Sequence, residues 1–463
     1  MNRREFLKSS VVSGAALAAP CWLGRAMAQA AETPAKKPNI VYILADDLGY
    51  ADVGFNGCKD IKTPHLDKLA KAGVVLESFY VQPLCSPTRA SLMTGRYVAH
   101  TGVYTIVRPH AKWGLPLEER TLAQALKEAG YETAISGKWH LGEFEPAYLP
   151  TKRGFDHQYG LWFGAIDYFT HKRDGEVDWH RDDKPCSDEG YSTHLIAKEA
   201  CRLIRERTAA KPLFLYVPFN AVHGPFQVPG NYTKPYGQLT GDRKTYAGMT
   251  AAMDEAVGQI VAALEEKGMR DTTLIIFSSD NGGVLPDKVT DNGTLRAGKG
   301  TIYEGGVRVC ACACWPGKIP AGKVVKEPIH IVDWYPTVVK LAGGSLEQKL
   351  ALDGKDIWPV VAQGARTPHD AVLLSATSYG KAAVRMGDWK LVKGTSDKGS
   401  GINAGVKGPQ VATPAEQEYE LYNVANDIGE RRNLAMEHPG KVKELRARLD
   451  LLLKDAVPCL PLI

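Results

Sequence analysis

Two hydrophobic rhythms alternate along this chain. Unbroken apolar runs such as "KPNIVYILAD" (37–46), "PLFLYVPF" (212–219) and "TTLIIFSSD" (272–280) have the pattern of buried strands, and they give way to polar residues. Between them, apolar residues recur at helical spacing over 63–73, 86–95, 121–129, 191–209, 243–267 and 330–344. Thr63 and Gly73 are placed to cap the first of these helices. "VVLESFYV" (74–81) and Tyr131–Ser136 add two more strands. This alternation predicts an α/β fold: a large, mainly parallel central sheet flanked by helices, with ligands gathered at the carboxyl ends of its strands. From about Thr367 the texture changes to short strands such as "KAAVRMGDWKLVKG", a glycine-rich loop at 394–409 and a final helix at 437–455. The expected division is a main body over 37–366 and a smaller α+β domain over 367–463.

The first thirty residues follow a different logic. Arg3 and Arg4 precede an uncharged stretch from Ser9 to Gly24, which ends at Ala26-Met27-Ala28 or Ala28-Gln29-Ala30. That layout predicts a removable export signal over 1–30, read by a twin-arginine translocase, and a periplasmic or extracellular destination. Its apolar core is too short and too rich in alanine, glycine and serine for a good spanning helix, so no stable membrane anchor is expected. A chain folded before export has little occasion to form disulfides. "CACAC" (Cys310, Cys312, Cys314) has metal-site composition but strand periodicity. It is read as one buried face of a strand.

Charge excludes one class of partner. A net +5 over 463 residues, without a basic block or basic–aromatic interleaving, does not suit nucleic-acid binding.

Candidate chemistry sits just after the predicted strands. Asp46 and Asp47 ("LADDLGY") and Asp280 and Asn281 ("SSDNGG") offer side-chain oxygens suited to a hard cation, Ca2+ or Mg2+, rather than zinc. Cys85, in "PLCSPTRASLMTGR" (83–96), opens a helix. A helix end favours a thiolate by a kcal/mol or two at most, about what half a charge supplies. An adjacent dication would dominate that field, and soft sulfur is a poor match for it, so an oxygen-bearing group at position 85 makes better chemical sense. Lys138 and His140 ("SGKWHLG"), His223 ("FNAVHGPF") and Lys299 ("RAGKGTIYEGG") supply cations and proton carriers for an anionic ester.

With these residues together, the chain resembles a type I sulfatase of the alkaline phosphatase superfamily. Cys85-Ser86-Pro87-Thr88-Arg89 is similar to the Cys-x-Pro-x-Arg signature at which cysteine becomes formylglycine, with Thr88 where serine is commoner. The resemblance runs from about Lys37 to Leu434. "GKWHLGEFEPAYLPTKRGFDHQYGLWFGAIDYFTH", "VPGNYTKPY", "YAGMTAAMDEAVG" and "HIVDWYPTVVKLAGG" liken it to the arylsulfatase B (N-acetylgalactosamine-4-sulfatase-like) group.

The resemblance implies Ca2+ held by Asp46, Asp47, Asp280, Asn281 and the modified residue 85. It further implies a maturation enzyme that makes formylglycine from Cys85, and a sulfated carbohydrate substrate. In the implied mechanism one hydroxyl of the hydrated aldehyde, held by metal and Arg89, attacks sulfur. His223 with Lys299 serves the leaving oxygen, Lys138 and Lys299 neutralise sulfate, and His140 takes the proton from the second hydroxyl. Asp167, Tyr168 and His171, after the "GFD" element, are candidate substrate contacts, with loop packing as the competing reading. The alternative functions are phosphate or phosphonate ester hydrolysis in the same superfamily, and a non-catalytic carbohydrate-binding pseudoenzyme.

Overall fold

The structure, a computed structural model, describes residues 37–208, 211–285, 288–375, 377–394 and 418–460. The expected export signal and nearly all of the glycine-rich loop lie outside the described residues.

Ten strands form the main sheet. Their spatial order is Lys323–Val325, Val74–Leu76, Ala311–Cys314, Thr273–Ser279, Asn39–Ala45, Leu213–Pro218, Glu132–Ser136, His157–Gly160, His180–Arg181 and Lys184–Pro185. The middle of the sheet, from Thr273–Ser279 across to His157–Gly160, is parallel throughout. Antiparallel pairs flank it on both sides, which makes the sheet mixed, with a parallel centre. Both faces are covered, as a parallel centre requires. Along the central strand, Val41, Ile43 and Ala45 face a layer containing helices Ser192–Glu206 and Gly241–Glu266. Ile40, Tyr42 and Leu44 face one containing helices Cys85–Thr94, Leu122–Glu128 and Trp334–Leu341.

The cysteine alternation behaves as its period predicts. Cys310, Cys312 and Cys314 enter the first layer, and Ala311 and Ala313 the second.

Two local expectations are corrected. "VVLESFYV" is not one strand. Glu77 and Ser78 interrupt the apolar run, and Phe79–Tyr80 leaves the main sheet to pair with Ile329–His330. Thr63 is the N-cap of helix Pro64–Lys71, as expected, but its hydroxyl caps no helix amide, and the C-cap is Ala72 rather than Gly73. The Thr63 hydroxyl donates to Asp67 and accepts from the Gly54 amide, while Asp254 accepts the His65 and Leu66 amides from a neighbouring helix. Gly73 is needed for close approach instead, since a Cβ there would stand 2.1 Å from the Ala313 carbonyl oxygen.

Beyond Thr367, strands Val372–Ser375, Ala382–Met386, Trp389–Lys393 and Tyr419–Asn423 make a second, antiparallel sheet. Helix Pro439–Leu452 packs Leu445 and Leu449 against Leu373, Val384 and Leu391 on one face. The opposite face packs Leu374, Ala383 and Val392 against Tyr80, Ile302, Tyr303 and Val307. That second contact grips the segment carrying Lys299.

Candidate active site

Register brings the acids together. Asn39–Ala45 and Thr273–Ser279 are parallel neighbours with Ala45 opposite Ser279, so Asp46-Asp47 and Asp280-Asn281 leave the sheet side by side. The Asp47 amide donates to Asp280 Oδ1 at 3.2 Å, and Asn281 Nδ2 donates to Asp47 Oδ1 at 2.8 Å. Lys138 and His140 follow strand Glu132–Ser136, and His223 follows Leu213–Pro218. All therefore converge on one edge of the sheet, where ligands of such folds collect.

Cys85 is the first residue of helix Cys85–Thr94, following Leu84 in extended conformation. Its Sγ lies 3.6 Å from Asp46 Oδ1, and ligand atoms of Asp46, Asp47, Cys85 and His223 all fall within 4.8 Å of one another. Arg89, one turn on, is fully buried. Its Nη2 donates to Asp280 at 2.9 Å and Asp46 at 3.3 Å, and its Nη1 to the Lys138 carbonyl at 2.8 Å. Lys138 Nζ pairs with Asp46, and Lys299 Nζ lies 2.7 Å from Asp47 Oδ1. Each buried charge thus has an opposite partner, as burial demands.

The field inside this cluster is uneven. Burial pushes the Cys85 thiol up to about 12, although Lys138 and Lys299 pull it down, so the sulfur is a thiol rather than a ready thiolate. Burial and then the Asp46 charge push the Asp280 carboxyl up to about 6. Asp47 shows the opposite balance. Burial resists its ionisation, but Lys299 and His223 overcome that and hold it far below the carboxylate range. Burial, then the Lys299 cation, lowers His223 to about 4. Burial, then Lys138 and Arg89, drives His140 well below its ordinary value.

The neutral His140 ring has an assignable tautomer. Nε2 lies 2.9 Å from the Val107 carbonyl and must carry the proton, which leaves the buried Nδ1 as a lone-pair acceptor with no hydrogen-bond partner among the described residues. His223 is fixed the other way round. Its Nδ1 donates to the Gly224 carbonyl at 2.6 Å, and Nε2 faces Asp47 Oδ2 at 3.6 Å. Asp47 and His140 both have left-handed backbones, φ 61° and 59°, which costs a non-glycine residue about 1–2 kcal/mol. Such strain is characteristic of functional positions.

A hard cation fits this donor set. Asn281 Oδ1 is buried without a hydrogen-bond partner among the described residues, although its amide nitrogen is satisfied. Together with the carboxylates of Asp46, Asp47 and Asp280, it makes the all-oxygen constellation that Ca2+ or Mg2+ prefers.

Above the cluster lies a cavity of about 430 Å3, walled in part by Asp47, Cys85, His140, His223 and Lys299. The three candidate substrate contacts are not on that wall. Tyr168 is buried and its hydroxyl bonds the Asn220 and His223 carbonyls at 2.6 and 2.7 Å, so it holds the His223 loop. Asp167 caps a local turn through the Phe169 and Thr170 amides, and His171 stacks on Trp179. In the structure these contacts are those of loop packing, the competing reading of these residues. The wall instead includes Gly164, inside the quoted 137–171 stretch, and Arg108 and Arg173, which carry no motif. Gly164 has a steric reason to lack a side chain: a Cβ there would lie 2.5 Å from His140 Nε2.

Comparison with known proteins identifies the family. The sulfatase family model matches residues 38–345. Arylsulfatase J of Mus musculus is 38% identical over 460 residues, covering 91% of this chain and 77% of its own length. Arylsulfatase A of Homo sapiens is 34% identical over 451 residues, covering 90% and 87%. Among solved structures, Ps i-CgsB in complex with k-i-k-neocarrahexaose superposes with a TM-score of 0.82 at 34% identity, covering 91% of this chain and 94% of that one. Likeness at this level, over most of the chain, means that the chain belongs to the sulfatase family and is a sulfuric ester hydrolase.

Proposed function

We propose that this protein is an exported sulfatase that removes sulfate from a sulfated sugar or polysaccharide, using formylglycine made from Cys85 and a bound Ca2+. The observation that carries the reading is the placement of Cys85 on the cavity wall, beside Asp46 and within one helical turn of the buried Arg89. A thiol held neutral in a nest of oxygen donors is unsuited to act as nucleophile itself, but well placed to be replaced by an oxygen species. Asp46, Asp47, Asp280 and Asn281 would hold the cation, with Mg2+ the less favoured occupant. When present, the hydrated aldehyde supplies an oxygen nucleophile and the cation supplies Lewis-acid charge.

The remaining work falls to the chain's own groups. Arg89 fixes the Asp46 and Asp280 carboxylates. The ammonium groups of Lys138 and Lys299 offset sulfate's negative oxygens. With its Nδ1–H committed to Gly224, His223 donates to the departing alcohol oxygen from Nε2 only as the imidazolium, a form that burial and Lys299 disfavour and the Asp47 carboxylate favours. His140 accepts a proton at Nδ1, the nitrogen left open when Nε2–H donates to Val107. The sugar assignment draws support from the solved relative bound to a neocarrahexaose. The sheet beyond Thr367 would serve as a smaller C-terminal domain that braces the Lys299 segment.

The test is to produce the protein with and without a formylglycine-generating enzyme, weigh the peptide carrying residue 85, and assay sulfate release from nitrophenyl sulfate and sulfated galactose oligosaccharides. Aldehyde at residue 85, with sulfate release that depends on it, is the expected result. Full activity with intact cysteine would refute the formylglycine reading. Turnover of phosphonate esters in preference to sulfate esters would replace the proposed substrate.

A further inference from the structure

The inner cations are all spoken for: Arg89, Lys138 and Lys299 are each buried against Asp46, Asp280 or Asp47. Two arginines on the same cavity wall are committed less tightly. Arg108 is exposed, and its side chain makes no hydrogen bond or ion pair among the described residues, although its carbonyl accepts from the Ala111 amide at 3.1 Å. The Arg173 side chain is 33% exposed, and its contacts, Nε to Asp174 and Nη1 to the Ala165 carbonyl, are both long at 3.4 Å.

These arginines come from separate segments that the fold ties together. Arg108 lies between Val107, whose carbonyl orients His140, and His110, whose amide donates to Glu143 at 2.6 Å. Arg173 lies in the small hairpin of Lys172–Arg173 and Glu176–Val177. His110 Nε2 meets Glu176 Oε2 at 3.0 Å, which joins the two segments. Asp242, also on the wall, pairs with neither arginine among the described residues.

From this arrangement we infer that Arg108 and Arg173 form a second anion-binding subsite, which reads a further sulfate or carboxylate on the substrate that carries the scissile sulfate. This rests on the sulfated-sugar reading and names its substrate class: oligosaccharides bearing at least two anionic groups. A cavity of about 430 Å3 is within the range that encloses a whole small ligand, so there is room for sugar beyond the reacting ester. Guanidinium groups suit both sources of charge because their planar donors bind sulfate or carboxylate oxygens in pairs. The same surplus charge would draw polyanions toward the cavity.

The experiment compares the wild-type enzyme with Arg108→Ala, Arg173→Ala and Arg173→Lys on four substrates. These are nitrophenyl sulfate, a monosulfated neutral disaccharide, a disulfated disaccharide and a monosulfated disaccharide containing a uronate. Each alanine variant is expected to raise KM on the two-anion substrates by about tenfold more than on the single-anion ones, as loss of a charge-assisted hydrogen bond predicts. Selective loss on the disulfated compound identifies sulfate as the second group, and selective loss on the uronate identifies carboxylate. Arg173→Lys should recover part of the loss, because charge remains while the paired donors do not. Equal effects on all four substrates, or none on the two-anion pair, would overturn the subsite. Calorimetric binding of the two disaccharide classes to Cys85→Ala protein, with and without the arginine substitutions, reads the subsite apart from turnover. Failure of the sulfatase reading would leave that difference intact, whereas equal affinities across the series would sink the subsite alone.

Discussion

Lys390 offers a sharp test of how the second sheet supports the active site. Its ammonium is fully buried, 2.9 Å from Glu304 Oε1 and 2.8 Å from Glu430 Oε1, and both carboxylates are fully buried too. Glu304 lies five residues beyond Lys299 in the chain, and its amide donates to Glu430 Oε2 at 2.7 Å. Substituting Lys390→Met keeps length and removes charge. Near 3 Å each attraction is worth roughly 5 kcal/mol at an effective dielectric of about 20, most of it spent on desolvation. What the substitution exposes is the remaining imbalance, two buried carboxylates without their shared cation. Breaking such a pair costs about 3–5 kcal/mol. For a chain of this size that corresponds to a fall in Tm of about 3–5 °C, from the usual unfolding entropy per residue.

The pH dependence sharpens the test. Burial resists ionisation of Glu304, but Lys390 and the nearby arginines hold it down at about 2. Burial pushes Glu430 up to about 7, against Lys390 and with the Glu304 charge adding to the rise. Without Lys390, both folded values move upward. A carboxyl raised on folding contributes stability below its unfolded value near 4.5 and loses it as pH climbs through the folded value. Lys390→Met should therefore be hurt more at pH 8 than at pH 5.5. Lys390→Met/Glu430→Gln should recover part of the loss, because one stranded charge is gone. Denaturant unfolding followed by tryptophan fluorescence at both pH values measures all of this. A cost below about 1 kcal/mol at pH 8, or one equal at both pH values, would refute the reasoning.

Three further outcomes are expected. Asp254→Ala should cost about 1–2 kcal/mol by unpairing two amides of helix Pro64–Lys71, and Thr63→Ala less, since its hydroxyl caps no helix amide; chemical unfolding compares them directly. Burial resists the charged form of His100, but the Asp353 carboxylate 2.8 Å away overcomes it and raises the pKa above 6.5. Its contribution is present below 6.5 and lost as pH rises through the folded value, so Tm should decline over that range, and His100→Asn should flatten the profile. A strong chelator should lower the thermal midpoint of the active protein and Ca2+ should restore it, because Asp46, Asp47 and Asp280 are buried together; an unchanged midpoint would count against the cation.

Much of the molecule was determined by local pattern. Apolar runs fixed the central strands, because a strand buried on both faces has no other way to be written. Alternation in "CACAC" assigned its cysteines to one face before any neighbour was known. The acids, lysines and histidines after strand ends were legible for the same reason: parallel strands deliver their carboxyl ends to one edge, so residues far apart in sequence share an address. Recognition at Cys85-Ser86-Pro87-Thr88-Arg89 then gave those residues a joint meaning.

Tertiary structure decided what depends on approach from outside the segment. Thr63 has the side chain of a cap, yet Asp254 takes the work from another helix. Gly73 and Gly164 are explained by the Ala313 carbonyl and the His140 ring, neither of which is near them in sequence. Asp167, Tyr168 and His171 stood close to the site along the chain, but the fold gives them packing contacts off the cavity wall: Tyr168 with the His223 carbonyl, Asp167 within its own turn and His171 on Trp179. Arg108 and Arg173 carry no motif, because a cavity wall is assembled from loops whose neighbours only the folded chain selects. Sequence determined which chemistry this protein brings to its sheet edge. The fold alone determined which side chains face the substrate there, since facing is a property of three-dimensional contact and has no period along the chain.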